Sequence, residues 1–337
     1  MSAMNTIDEV EVRLQNLSLR TTFRTHWKTL REHSTVLVRI RAGEICGEGE
    51  AYSLTPDRVV EVLEELDLRG IDPWQIEAIT VSISDTAARS AVDLALHDLL
   101  GKLIGIPVHA LLGLQRADRL TCVSVGVDAP DKMISAARRW IEQGYPVVKV
   151  KLTTDTDLRV IEEIRSLGGP ALRIWVDANQ AYEPDQAIEV AHKLVKLGVE
   201  LFEQPLAVGR IEDYAAIRPR IQLPIILDEE IKSAEDVAAA ALAGGIDGVN
   251  VKLAKLGGIR ESLRAIRVAR AHRMQVLIGC FFESSLGIAA STHLQSLADH
   301  VDLDAPLFLE RDPYQGLQFD LATIRPPDGP GIGVARA

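Results

Sequence analysis

The stretch Val147-Val148-Lys149-Val150-Lys151-Leu152, VVKVKL, decides the fold once it is read with what recurs after it. It is a short β-branched run that ends on a charge. LRIWVDAN (172–179) repeats the pattern at Asp177, VELFEQP (199–205) at Glu203, PIILDEE (224–230) at Asp228, GVNVKL (248–253) at Lys252 and HVDLDAP (300–306) at Asp302 with Asp304. The steps from Lys151 onward are 26, 26, 25, 24 and 50 residues, the last a double step with GCFFES (279–284) between. One strand, one helix and two loops occupy roughly 25 to 30 residues in a (β/α)8 barrel, whose functional groups sit at the C-terminal ends of the strands. The spacing therefore predicts one ring of converging groups: cation, three anions, cation, then an anionic pair.

Outward from this ring, strict alternation of strand and helix begins at Thr121. The predicted strands are CVSVGV, VVKVKL, LRIWVDA, VELFE, IILDE, GVNVKL, VLIGC and VDLD, separated by amphipathic segments such as PDQAIEVAHKLVKLG and IRESLRAIRVARAHRM. Such alternation implies a parallel sheet, and near-continuous apolar strands imply burial on both faces. Upstream the pattern is mixed. Val10, Val12 and Leu14 alternate, and STVLVRIRA follows, as in an antiparallel sheet. Helical patterning runs from Pro56 to Leu66 and through TAARSAVDLALHDLLGKLIG, with a break at Gly105 and Pro107. The fold class is α/β: a TIM-like (β/α)8 barrel at 116–310, an α+β unit at 1–115, and a tail at 311–337 that returns to the first unit.

A chain of 337 residues suits a barrel plus a smaller unit, and 47% hydrophobic with 25% charged residues is ordinary for a globular protein. No apolar run approaches the roughly 20 residues of a membrane span. The start, MSAMNTIDEVEVRL, is acidic where a secretory signal would be basic and then apolar. Cys46, Cys122 and Cys280 lie far apart without a C-x-x-C, which suits a reducing cytoplasm better than a disulfide framework. The net charge of −11 opposes binding to nucleic-acid phosphates. A small-molecule partner is expected, with no nucleic acid and no membrane; assembly into a homo-oligomer is left open.

Lys149 and Lys151 are two positions apart, so both point into the barrel. Mutual repulsion and desolvation are expected to lower a lysine's pKa and make it a usable base; two solvated surface lysines are the plain alternative. Asp177, Glu203 and Asp228 end three successive strands. A lone acid there is usually a helix N-cap or an ion-pair partner, but three in phase predict a divalent cation, and all-oxygen ligation suits Mg²⁺. Lys252 faces Lys151 across the barrel. A proton beside a carboxylate can be removed only if the resulting enediolate is held by positive charge. A lysine on each face then allows a 1,1-proton transfer that inverts a stereocentre.

The motifs KVK (149–151), DAN (177–179), EQP (203–205), DE (228–229) and VKLAKLGG (251–258) resemble the muconate-lactonising subgroup of the enolase superfamily. The resemblance spans essentially the whole chain, including ARSAVDLALHDL (88–99). It implies an N-terminal capping domain and a Lys or His base acting with Mg²⁺. Relatives of mandelate racemase would carry a His and Asp dyad where Lys252 stands. DLDAPL (302–307) is similar to the D-x-D signature of dipeptide epimerases, which holds the substrate's ammonium. Two uncompensated carboxylates on one side suit that ligand, and capping of the next segment is the alternative.

The resemblance further places Ser124, Cys280, Phe281 and Phe282 at substrate-contact positions, with packing as the alternative for each, and Lys149 is counted with them. It also sets Lys28 where Ala-Glu epimerases have an arginine that reaches the glutamate side chain. Lysine keeps that charge and loses the bidentate fork. The reading is a Mg²⁺-dependent dipeptide epimerase of the L-Ala-D/L-Glu type, with Lys151 and Lys252 as acid/base groups. The alternatives are a muconate cycloisomerase, an N-acylamino acid racemase or o-succinylbenzoate synthase, and a non-catalytic barrel.

Overall fold

A computed structural model describes residues 6–337; Met1–Asn5, part of the start read above for export signals and of the 1–115 unit, lie outside the described residues. Strands Glu9–Arg24, Thr29–Ala42 and Ile45–Tyr52 form an antiparallel sheet in that order. The first two follow the predicted pattern. The third was not read from the sequence, because Gly47 and Gly49 lower its strand propensity. Packing explains both glycines. A Cβ on Gly47 would come within 2.1 Å of Ala95 O, and one on Gly49 within 2.1 Å of Ala91 O, so helix Thr86–Ile104 lies directly on the strand backbone.

That helix begins where Asp85 accepts the Ala88 N–H and ends at Gly105, whose φ of 76° is the left-handed conformation glycine tolerates. Asp93, at its buried middle, reaches out to the barrel and accepts the Ile259 N–H at 2.7 Å. It thereby caps helix Ile259–Ala271. The predicted helix at 56–66 is present as Pro56–Glu64.

All eight predicted barrel strands form: Val123–Val125, Val147–Lys151, Arg173–Asp177, Val199–Glu203, Ile225–Leu227, Gly248–Val251, Gln275–Gly279 and His300–Asp302. They pair in chain order in one parallel sheet, and the Cys122 N–H to Val301 O bond of 3.0 Å joins its two edges into a nearly closed barrel. Because side chains alternate along a strand, Val148, Val150, Ile174, Val176, Phe202 and Val249 face the surrounding helices, while Val147, Trp175, Leu201, Ile226, Leu277 and Cys122 form a separate buried cluster. This cluster is the apolar floor. Two residues further along each of four strands the inward positions become Lys149, Asp177, Glu203 and Asp228.

The tail contacts both units. Its strand Thr323–Arg325 pairs with Arg119–Leu120 at the start of the barrel unit, while Arg336 Nε lies 3.0 Å from Glu48 and Val108 N–H of the N-terminal unit donates to Gly331 O at 2.9 Å. Among the described residues no helix is long and apolar enough to cross a membrane.

Candidate active site

The C-terminal strand ends open into a pocket whose floor and walls include Ser124, Lys151, Asn179, Asp228, Glu229, Lys252, Lys255, Cys280, Phe281, Phe282 and Asp304. The N-terminal unit supplies its roof: Phe23, Trp27, Lys28, Leu30 and Tyr52. Strand register sets Lys151 beside Asp177 and Asp177 beside Glu203. Lys151 Nζ donates to Asp177 Oδ2 at 2.5 Å, and Lys252 Nζ to Asp228 Oδ2 at 2.7 Å. Lys151 ends the second strand and Lys252 follows the sixth, four apart around a ring of eight, and thus they face each other.

None of the three strand-end acids caps a helix. The helices that follow start from Glu183, Arg210 and Ser233, so the N-cap alternative falls. Instead each acid is held by a side-chain or turn amide. Asn179 N–H donates to Asp177 Oδ1 at 2.8 Å, Asn250 Nδ2 to Glu203 Oε1 at 2.8 Å, and Gln204 Oε1 accepts the Asp228 N–H at 2.8 Å. Glu203 Oε2 accepts no well-directed hydrogen bond, although Lys149 Nζ lies 2.7 Å away.

The charge count is uneven. Six carboxylates (Asp177, Glu203, Asp228, Glu229, Asp302, Asp304) face four ammonium groups (Lys149, Lys151, Lys252, Lys255). Two carboxylates respond. Glu203 is pushed up to about 7 by burial and then by Asp177, and Asp304 to about 7 by burial and then by Asp302. Asp228 is the opposite case: burial alone would raise it, but Lys252 and Lys255 hold it well below the usual carboxylate range. Among the described residues no three acidic, His or Cys groups form a ready cage, since lysine ammonium groups lie between the acids. The donor set nevertheless fits a hard divalent cation: three buried carboxylates on successive strands, one oxygen without a directed donor, and surplus negative charge.

Three expectations need correction. Lys149 is not lowered: burial does lower it, but Asp302, Glu203 and Asp177 around it outweigh that, as Asp228 does for Lys252. The neighbours that decide the sign come from other strands. Asp302 is not uncompensated, because Lys149 Nζ donates to it at 2.7 Å and Cys122 Sγ at 3.0 Å. Lys149 and Asp302 also do not line the pocket; they lie beneath it with Asp177 and Glu203. The strand ends at Asp302, so alternation stops there and Asp304 turns separately into the pocket. Asp304 accepts the Ser124 N–H at 2.7 Å and makes no capping bond to the helix after it.

Ser124, Cys280, Phe282 and Lys28 do line the pocket. Lys28 bonds the Tyr52 hydroxyl, and its half-burial lowers its pKa. The sequence reading missed Lys255, which donates to Asp228 Oδ1 at 2.6 Å, and the amides Asn179, Gln204 and Asn250. Their signals were present in VKLAKLGG, DAN, EQP and GVNVKL, where a polar residue sits in an otherwise apolar strand end.

Residues 132–336 match the family described as enolase C-terminal domain-like, and residues 7–113 the N-terminal domain of mandelate racemase / muconate lactonizing enzyme. The chain is 36% identical to an L-Ala-D/L-Glu epimerase of Bacteroides thetaiotaomicron, over 89% of this chain and 81% of that one. It is 33% identical to a hydrophobic dipeptide epimerase of Roseobacter litoralis, over 86% of each. A dipeptide epimerase of Enterococcus faecalis, solved with Mg and L-Leu-L-Tyr, superposes with a TM-score of 0.94 at 27% identity, covering 98% of this chain and 100% of that one.

Proposed function

Since the chain belongs to the mandelate racemase / muconate lactonizing enzyme family of enolase-like proteins, we propose that it is a Mg²⁺-dependent dipeptide epimerase of the L-Ala-D/L-Glu type. It inverts the α-carbon of the C-terminal residue. The observation that carries this reading is the pair Lys151 and Lys252, placed on opposed sides of one pocket with three buried carboxylates between. Asp177, Glu203 and Asp228 would hold the ion. Bound Mg²⁺ supplies fixed positive charge beside the substrate α-carboxylate, which makes the neighbouring C–H proton acidic enough to remove.

The chain's own residues do the rest. One lysine takes the proton from one face and the other returns a proton to the opposite face, through an enediolate. Engagement of Asp228 by a cation would weaken the field that keeps Lys252 charged. Asp304 offers its carboxylate to the substrate's ammonium. N-acyl amino acids, which lack that ammonium, suit it less. The same proposal divides the chain into a capping unit at 1–115, a barrel at 116–310 and a returning tail at 311–337, supported by the Arg336 and Glu48 pair. Three free cysteines fit a reducing cytoplasm.

The test is exchange and inversion of dipeptides in D2O with Mg²⁺, followed by mass spectrometry and chiral analysis. Alanine at Asp177, Glu203 or Asp228, or excess EDTA, is expected to abolish turnover, with the variants still folded by circular dichroism. Full activity in EDTA sinks the metal assignment. Faster turnover of N-acyl amino acids than of free dipeptides replaces the epimerase by a racemase.

A further inference from the structure

We propose that the stacked rings of Phe281 and Tyr52 are positioning residues that hold Lys252 against its face of the substrate, a role that rests on the epimerase reading above. Lys252 Nζ lies 4.6 Å from the centroid of the Phe281 ring. That ring stacks on Tyr52 with centroids 4.6 Å apart and planes at 22°. Lys28 Nζ bonds the Tyr52 hydroxyl at the edge of that ring. An ammonium and two stacked rings thus form one column from the end of the sixth barrel strand to the third strand of the N-terminal unit.

The negative face of an aromatic ring attracts an ammonium, and offset stacking fixes one ring against another. Lys252 Nζ has one hydrogen-bond acceptor among the described residues, Asp228 Oδ2 at 2.7 Å. Asp228 is also one of the carboxylates that would hold the ion. Once it is engaged there, its grip on Lys252 loosens, and the Phe281 face is the contact left to keep Nζ in place. Tyr52 belongs to the N-terminal unit, so the seating of the roof backs Phe281 from behind. Lys151 is built differently: it bonds Asp177, and among the described residues no ring lies under its Nζ. The column is one-sided, so its loss must be felt on one face of the α-carbon.

The test uses the full-length Mg²⁺-loaded enzyme and L-Ala-L-Glu and L-Ala-D-Glu separately, reading α-proton exchange with D2O by NMR before inversion. The epimer served by Lys252 is the one whose exchange disappears in Lys252→Ala. Phe281→Leu is expected to slow exchange of that epimer on the order of 10- to 100-fold while the other stays within about twofold, since small misplacement of a reacting group carries such losses. Mg²⁺ affinity, read by calorimetry, stays at the wild-type value. Phe281→Tyr restores the rate, and Tyr52→Leu gives a smaller loss on the same epimer. Should Phe281→Leu fail to fold, Tyr52→Leu decides by the same one-sided loss. Equal loss for both epimers, or none for either, overturns the positioning role. A wild-type enzyme that exchanges no dipeptide overturns the functional reading instead.

Discussion

In the proposed function Asp304 receives the substrate's free amino end, and its environment is expected to make that recognition pH-dependent. Burial, and then the charge of Asp302, hold its carboxyl up to about 7, well above the usual carboxylate. To pair with an ammonium it must be ionised. Below pH 7 a proton competes, because the free enzyme binds it and the complex does not, so KM for a dipeptide is expected to rise about tenfold per pH unit in the limit. A KM flat between pH 5 and 8 would refute this role. Asp304→Asn is expected to remove the dependence and to lower kcat/KM by roughly one to four orders of magnitude, while Mg²⁺ affinity stays unchanged. N-acetylation of the dipeptide has the same effect from the other side. Lys151→Ala and Lys252→Ala are each expected to stop full epimerisation while retaining solvent exchange of one epimer. Wild-type epimerisation by either variant sends the search to another base.

At the scale of elements, the strand ends hold their carboxylates by unusual backbone. Asn179, Gln180 and Gln204 have φ of 42°, 73° and 36°, a region that side-chain-bearing residues rarely adopt, and they cluster where the third and fourth barrel strands stop. There the Asn179 backbone N–H donates to the Asp177 carboxylate, and the Gln204 side-chain oxygen accepts the Asp228 backbone N–H. Asn250 Nδ2 donates to the Glu203 carboxylate from the sixth strand, and the seventh strand makes room for it: a Cβ on Gly279 would stand 2.5 Å from Asn250 Oδ1. Gly279→Ala is therefore expected to displace Asn250 and weaken Mg²⁺ binding roughly 10- to 100-fold, as loss of a group that orients a metal ligand does. Calorimetric titration reads this directly. Unchanged affinity would mean that Glu203 needs no such support.

For the whole molecule, a second buried acid joins Asp93 in tying the two units together. Glu50, on the third strand of the N-terminal sheet, accepts the Ser284 N–H at 3.1 Å, the Gly287 N–H at 3.2 Å, Thr35 Oγ1 at 2.6 Å and the Ser284 hydroxyl. It closes the N-terminus of barrel helix Ser285–Thr292, where backbone N–H groups lack partners and negative charge is favoured. Glu50→Ala leaves these donors buried without an acceptor, and a loss of about 1–3 kcal/mol or more is expected in urea unfolding. Because Tyr52 lies two residues along the same strand, dipeptide KM is expected to rise as well. A variant as stable as wild type would show that the units dock without it.

The amino-acid sequence by itself determined the eight strands, the parallel order and the identity of the charges at the strand ends. These rest on local properties: a period of about 25 residues per βα unit, and side-chain alternation within a strand, which aims i and i+2 the same way. What surrounds each charge was decided by tertiary structure. Lys149 meets Asp302 from 153 residues away, so the same lysine that sequence reasoning expected to be lowered is raised, and the same aspartate expected to be free is paired. The glycine-rich third strand became legible only with the helix laid on it, since its glycines serve close approach rather than strand propensity. The ring column at Lys252 joins two units that are far apart in sequence, because a contact across closure of the fold leaves no periodic trace in the chain.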